Sequence, residues 1–138
     1  MSEANDRNQG IIDEFHANAG VVGGFFEGKP ILLLHNTGAK SGVERVNPLM
    51  YNTDGDRLVI FASKGGAPGH PDWYFNLVAN PSAEVEVGTE RFPVKATVLT
   101  DDDERARLWE RQKADHPQFA DYEAKTDRQI PVIILERS

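Results

Sequence analysis

Two glycine-flanked loops carry most of the chemistry this chain offers. The first, Asn36-Thr-Gly-Ala-Lys-Ser-Gly42, sets Ala39, Lys40 and Ser41 between two glycines, with Arg45 close behind. The second, Ser63-Lys-Gly-Gly-Ala-Pro-Gly-His70, places Ser63 and Lys64 before three glycines. Glycine lets backbone come close to a ligand. An ammonium, a hydroxyl and free N–H groups are donors that suit an anion. The second loop follows an apolar run, Leu58-Val-Ile-Phe-Ala62, and ends where Pro71-Asp72 opens a short aromatic helix. A helix start adds unpaired N–H groups with partial positive charge. The first loop lacks the G-x-x-x-x-G-K-S/T order of a P-loop, so that motif is rejected. For both loops a plain surface connection stays open beside the anion reading.

Other reactive patterns are missing. The four histidines, His16, His35, His70 and His116, show no metal-ligand spacing, and structural roles explain them more simply. There is no cysteine and no G-x-S-x-G elbow. Ser63 and Lys64 are neighbours at a strand end, where successive side chains point apart, which disfavours a Ser–Lys hydrolytic dyad. Asp101-Asp102-Asp103 invites a metal, but helix capping accounts for the run, and no metal site is expected. What remains is a cationic, glycine-rich pocket rimmed by Trp73, Tyr74, Phe75, Phe119 and Tyr122. Such a pocket suits a flat aromatic cofactor with an anionic tail.

Composition sets the frame. The chain has 138 residues, 39% of them hydrophobic, enough for a single domain with a real core. A net charge of −7 argues against nucleic acid as a partner, because phosphate contacts need clustered Lys and Arg. The stretch from 36 to 70 nevertheless carries Lys40, Arg45, Arg57 and Lys64 against Glu44, Asp54 and Asp56, a net +1 on an acidic chain. A local cationic pocket of this kind fits a small anionic ligand. The polar start and the lack of cysteine fit a cytoplasmic protein.

The elements that must position these loops follow from periodicity. Asp6 to Asn18 reads as an amphipathic helix with Ile11, Ile12, Phe15 and Ala19 on one side. The glycine-rich, apolar stretch Ala19 to Gly28 has three readings: core packing, a cover over a ligand, or a membrane contact. Pro30 to His35 predicts a buried strand. Arg45 to Thr53 predicts a second, with Pro48 marking an edge or bulge and Asp54-Gly55 a hairpin turn. Arg57 to Ser63 predicts a third strand, and Asp72 to Ala79 a helix ended by Asn80-Pro81. Ala83 to Val87 and Arg91 to Val98 predict a hairpin across Gly88-Thr89-Glu90. A helix from about Thr100 to Ala114, a short one over 117–125 and a strand over Gln129–Leu135 complete the chain. This order predicts one α+β domain on a mostly antiparallel sheet, closed or half-closed into a barrel.

Thr37-Gly-Ala-Lys-Ser-Gly42, Arg45, Pro48-Leu49, Ser63-Lys-Gly-Gly-Ala-Pro68, His70-Pro-x-Trp-Tyr-x-Asn-Leu77, Asn80-Pro81 and Asp121-Tyr-x-x-x-Thr-Asp-Arg128 are similar to the deazaflavin-dependent nitroreductase family. The resemblance covers roughly residues 11 to 137. It implies a flavin-reductase-like split β-barrel with flanking short helices. It implies the 8-hydroxy-5-deazaflavin coenzyme F-420, with a phosphate and an oligoglutamate tail. It implies hydride transfer from the reduced coenzyme to a quinone, a nitroaromatic or an enone. By this resemblance Ala39, Lys40, Ser41 and Arg45 hold the phosphate and tail, with Lys64 adding charge. Val46, Asn47, Pro48, Leu49, Met50, Phe61, Ala62 and Ser63 line the ring, and Trp73 and Asn76 shape the pocket from the helix. Ser63 and Tyr122 are the candidates to polarise the acceptor, with Phe15, Phe119 and Tyr122 around it.

Glu44 stands where members commonly have proline, Asn47 where threonine is usual, and Phe119 where nitro-reducing members can place tyrosine. These departures make a quinone the expected acceptor. The apolar N-terminal region would cover the acceptor site and reach a membrane quinone. FMN in the same fold, or a non-catalytic carrier of deazaflavin or lipid, are the alternatives. A site built from one chain points to a monomer.

Overall fold

Ile31-Leu-Leu-Leu34 is wholly shut away from solvent, and the rest of the molecule is arranged around that strand. The computed structural model describes the backbone of residues 3–23 and 29–138, with side chains from Gln9 onward. Gly24 to Gly28, part of the glycine-rich stretch, lie outside the described residues. Helix α1 (Glu3–Ala17) comes first, then strands β1 (Ile31–Thr37), β2 (Glu44–Met50), β3 (Asn52–Asp54) and β4 (Arg57–Phe61). A single 3-10 turn, Lys64–Gly66, leads to α2 (Asp72–Ala79). Then follow β5 (Ser82–Val87), β6 (Glu90–Val98), α3 (Asp102–Asp115), α4 (Gln118–Ala124) and β7 (Val132–Arg137).

The strands form one sheet in the order β2-β1-β5-β6-β7-β4-β3, and every pairing is antiparallel. The two outermost strands, β2 and β3, are separated in sequence by Tyr51 alone. A flat seven-stranded sheet would hold its edges about 29 Å apart at ordinary strand spacing, whereas one residue spans about 3.5 Å. The sheet therefore curls until its edges nearly meet, which makes the half-barrel. This also corrects the prediction of one strand over Arg45–Thr53: the chain leaves one edge at Met50 and enters the other at Asn52. Pro48 sits opposite Leu33 on the edge strand, where its missing N–H costs no ladder bond.

Alternation splits the core in two. Leu32, Leu34, Ile60, Val85, Val94, Ala96, Ile133 and Leu135 converge on the inner face, joined by Trp73 and Leu77 of α2. Ile31, Leu33, Met50, Val59, Phe61, Val132 and Ile134 face the other way, under Phe15 of α1, Leu108 and Trp109 of α3 and Phe119 of α4. The last strand begins later than predicted, because Ile130 and Pro131 lead into it rather than pair.

The helix ends follow local chemistry. Asp101 caps α3 by accepting from the Glu104 N–H at 2.8 Å. Ala19 is exposed, with φ +55, rather than on the buried side of α1. The turn that follows α1 packs on the β5–β6 hairpin so closely that a Cβ at Gly20 would lie 2.7 Å from Gly88 Cα. Among the described residues no helix is long and apolar enough to cross a membrane.

Candidate functional site

Because β2 is an edge strand, its flank is open, and a wide cleft lies there. It has a volume of about 1290 Å³, bounded by Gln9 and Ile12 of α1, the 38–41 loop, Glu44 to Asn47 of β2, and Asp72, Trp73, Phe75 and Asn76 of α2. Eight residues assigned to the cofactor from sequence meet in it: Ala39, Lys40, Ser41, Arg45, Val46, Asn47, Trp73 and Asn76. The others do not line it. Pro48 is buried and Leu49 half-buried further along β2, and Met50 is buried in the outer core. Phe61, Ala62 and Ser63 are buried at the end of β4, and Lys64 is exposed on the following turn.

The loop at the cleft's end is held by its own hydrogen bonds. The Gly38 N–H bonds to the Val43 carbonyl at 2.8 Å, and the Gly42 N–H to the Gly38 carbonyl at 2.9 Å. Ser41 Oγ accepts from the Val43 N–H at 3.2 Å, which leaves its hydroxyl proton free to donate. The Ala39 N–H is taken by Asn76 Oδ1 at 2.9 Å. Among the described residues, the N–H groups of Lys40 and Ser41 are left without a partner at the tip.

A chain of neutral amides fixes that loop to the sheet and to α2. Asn76 Nδ2 donates to Asn36 Oδ1 at 2.7 Å, and Asn36 Nδ2 donates to Asn47 Oδ1 at 3.0 Å. Asn36 and Asn76 are both buried. Sequence reasoning missed Asn36, which reads as a strand end; the available signal is an asparagine closing an apolar run two residues before a glycine. It also missed Gln9 and Ile12, because nothing local shows that α1 returns to the edge of β2.

Charge at the cleft is mixed, with Glu44 and Asp72 lining it beside Lys40 and Arg45. Lys40 and Arg45 are exposed and form no ion pair among the described residues, whereas Arg57, Arg91, Arg107, Arg111, Lys113 and Arg137 are each paired with a carboxylate. Glu44 is next to Arg45, and His35 Nδ1 binds its carboxylate at 2.7 Å, while His35 Nε2 reaches Glu86 at 2.7 Å and His16 reaches Glu86 at 2.9 Å. Burial pushes the Glu86 carboxyl up, but hydrogen bonds from His35 and His16 outweigh it and hold its pKa below the ordinary 4.5.

The residues proposed around an acceptor form a second group. Phe119 is buried, with its ring centroid 5.8 Å from Phe61 and 5.1 Å from Tyr122. The Tyr122 hydroxyl is half-buried and accepts from Gln118 Nε2 at 3.1 Å. Phe15 is 1% exposed beneath α1. Phe15 and Phe119 thus act as packing, and only Tyr122 of the three keeps a polar atom near the surface. Among the described residues no group of three or more His, Asp or Glu side chains is placed to hold a metal.

Known proteins share this sequence and this fold. The family model described as F420H(2)-dependent quinone reductase matches residues 9–137. An F420H(2)-dependent quinone reductase of Mycobacterium tuberculosis strain H37Rv is 46% identical over 110 residues, 78% of this chain and 74% of the relative. A solved F420-H2 dependent reductase superposes with a TM-score of 0.70 at 44% identity, over 78% of this chain and 94% of its own. Another structure, described as a domain-swapped dimer, gives 0.73 at 37% identity over 97% of this chain and 100% of its own. A pyridoxamine 5'-phosphate oxidase homologue from Listeria innocua gives 0.59 at 13% identity over 99% of this chain and 94% of its own, a likeness of split-barrel fold alone. With the family model spanning nearly the whole sequence and a relative this similar, the chain belongs to the F420H(2)-dependent quinone reductase family.

Proposed function

We propose that this chain is an oxidoreductase that takes F-420 into the cleft between α1 and α2 and reduces a quinone-like acceptor. When bound, the reduced deazaflavin supplies the hydride. The observation that carries the reading is the tip of the 38–43 loop. Two consecutive N–H groups, the Ser41 hydroxyl, and Lys40 and Arg45 gather there beside a cleft of about 1290 Å³, the N–H groups and both cations without partners among the described residues. A phosphate and carboxylate tail match that donor set, and the volume exceeds the roughly 300–1,000 Å³ of ordinary small-molecule pockets. Trp73 and Val46 offer apolar wall to a flat ring.

Lys40, Ser41 and Arg45 anchor the anionic end. Asn36, Asn47 and Asn76 keep the loop in place without charge, so they do not compete for the ligand. Ser63 and Tyr122 remain our candidates to donate a hydrogen bond to the acceptor oxygen, with Phe119 packing beneath Tyr122. All strands belong to one sheet, which supports reading residues 1–138 as a single domain. We read the protein as a monomer; exchange of an element between copies is the alternative that the domain-swapped relative raises. We place the protein in the cytoplasm, with any membrane contact peripheral and through the N-terminal region.

The test is a fluorescence titration with oxidised F-420 beside FMN, at low and high salt, followed by turnover with menadione. We expect F-420 to bind more tightly than FMN. Lys40→Ala and Arg45→Ala should each weaken it about tenfold, at the lower end for charge-assisted bonds of about 1.5–3 kcal/mol because both side chains are exposed. Tighter binding of FMN would overturn the coenzyme assignment. Binding without turnover would leave a carrier.

A further inference from the structure

We infer that Arg128 is a positioning residue of this site, clamping the loop that carries Ser63 and Lys64 and fixing His70 as its neutral partner. The inference rests on the functional reading above and deepens it.

Arg128 lies between α4 and β7, and its guanidinium reaches across to the segment joining β4 to α2. Nε donates to the Ala67 carbonyl at 2.9 Å, Nη1 to the Ala62 carbonyl at 3.1 Å and Nη2 to the Ser63 carbonyl at 2.7 Å. Nη1 also lies 2.9 Å from His70 Nδ1. All four acceptors fall within nine residues, 62 to 70. Among the described residues Arg128 has no carboxylate partner, so three carbonyls and one imidazole nitrogen satisfy it. That is an unusual use of a half-buried arginine, since such groups are ordinarily paired. The planar fork suits it: one guanidinium directs donors along several fixed directions at once, which a lysine ammonium cannot do.

Arginine only donates, so His70 Nδ1 must accept and the ring proton sits on Nε2. Burial, then the charge of Arg128, hold the His70 pKa below the ordinary 6.5. Tyr74 and Phe75 of α2 pack on the imidazole, with ring centroids at 4.7 and 5.7 Å. His70 precedes Pro71, the residue that caps α2, and α2 carries Trp73 and Asn76 into the cleft. The clamp therefore sets both the Ser63–Lys64 turn and the start of the cleft's helical wall. From the other side, Gly66 (φ +84) is pressed against α4: a Cβ there would lie 2.7 Å from the Tyr122 carbonyl. The loop is gripped between Arg128 and the helix that bears Tyr122, which links the turn at Ser63 to the proposed acceptor side.

The test has a readout that needs no coenzyme. Nitrogen NMR of the histidine rings in the ligand-free wild type should show His70 as the Nε2–H tautomer, titrating below 6.5. In Arg128→Met neither a donor nor a charge faces Nδ1, and the His70 transition should move up from its wild-type position, part of the way because burial, the larger cause, remains. F-420 affinity should fall about tenfold in Arg128→Met while far-UV circular dichroism stays unchanged. A His70 ring protonated on Nδ1 at neutral pH, or an Arg128→Met protein with the wild-type titration and affinity, would overturn the clamp. If the wild type bound no F-420 at all, the functional reading would fail, and the tautomer would still decide whether the clamp exists.

Discussion

His35 and Asn36 are neighbours on β1, yet they anchor two networks of opposite character. Asn36 points to the cleft side and joins Asn47, Asn76 and the Ala39 N–H through neutral amides. His35 points to the α1 side and joins Glu44, Glu86 and, through Glu86, His16. Strand alternation alone produces the division. The amide network holds the ligand loop with groups that do not titrate, so the loop keeps its shape across pH and adds no charge beside the anion site. The ionic network does different work. It engages the Glu44 carboxylate with His35 and, through His16 and Glu86, ties α1, one wall of the cleft, to the sheet. Neutral bonds brace the loop at the cleft, and charged ones brace the helix beside it.

Breaking the amide side should cost most. Asn36→Leu leaves Asn76 Nδ2 buried without its partner and frees the half-buried Asn47 side chain, and stability should fall by about 1–3 kcal/mol in urea unfolding. The loss should be the same at pH 5 and pH 8, because none of these groups titrates there. A loss confined to one pH would show that the networks are not separate.

An ionic cluster far from the cleft serves as a control. Asp54, on the β3–β4 hairpin, is bound by Arg107 and Arg57, which lower its pKa from 3.8 to about 2. A depressed carboxylate stabilises the fold above its unfolded pKa and loses that contribution as pH falls through the folded value. Asp54→Asn should cost about 1–2 kcal/mol at neutral pH, the deficit closing between pH 3.8 and about 2, with F-420 affinity unchanged.

Glu86→Gln should cost about 1 kcal/mol at pH 7, since two histidine contacts lose their carboxylate. The Glu86 pKa is depressed, so its contribution is full above 4.5 and fades as pH falls below that value. Unlike Asp54→Asn, it should also weaken F-420 binding, by loosening α1 and leaving Glu44 less firmly held. Equal affinity in Glu86→Gln and wild type would detach the ionic network from the site. His16→Ala should cost least, about 0.5 kcal/mol or less, because His16 is about half exposed and its pair is screened by salt.

What the sequence revealed depended on how local the cause was. The helix over Asp72–Ala79 was legible to the residue, since Pro71 opens it and Asn80-Pro81 closes it. The Asp54-Gly55 and Gly88-Thr89 turns were equally plain. The break at Tyr51 was not, because it arises from barrel closure and Val46 to Thr53 looks continuous along the chain. The site divides the same way. Lys40, Ser41 and Arg45 announce themselves by flanking glycines, and the structure sets them around one cleft with Trp73 and Asn76. Arg128 stands out only as the end of the Asp121–Arg128 motif, and its role was not legible, because its partners include backbone carbonyls about sixty residues away that every residue type shares. Phe61 and Met50 read as ring-lining apolar residues, but alternation places them on the outer core. Families of residues on one strand are easy to name from sequence, and which face each takes is fixed only by the register of its neighbours.

The central claim is that the anionic end of the ligand sits on the N–H groups at the tip of the 38–43 loop. Backbone amide shifts in NMR, followed as F-420 is added, test it most directly. We predict that the Lys40 and Ser41 amides move furthest, with Asn76 Nδ2 and Trp73 Nε1 responding and the β3–β4 hairpin still. Large shifts elsewhere, with Lys40 and Ser41 unmoved at saturation, would contradict it.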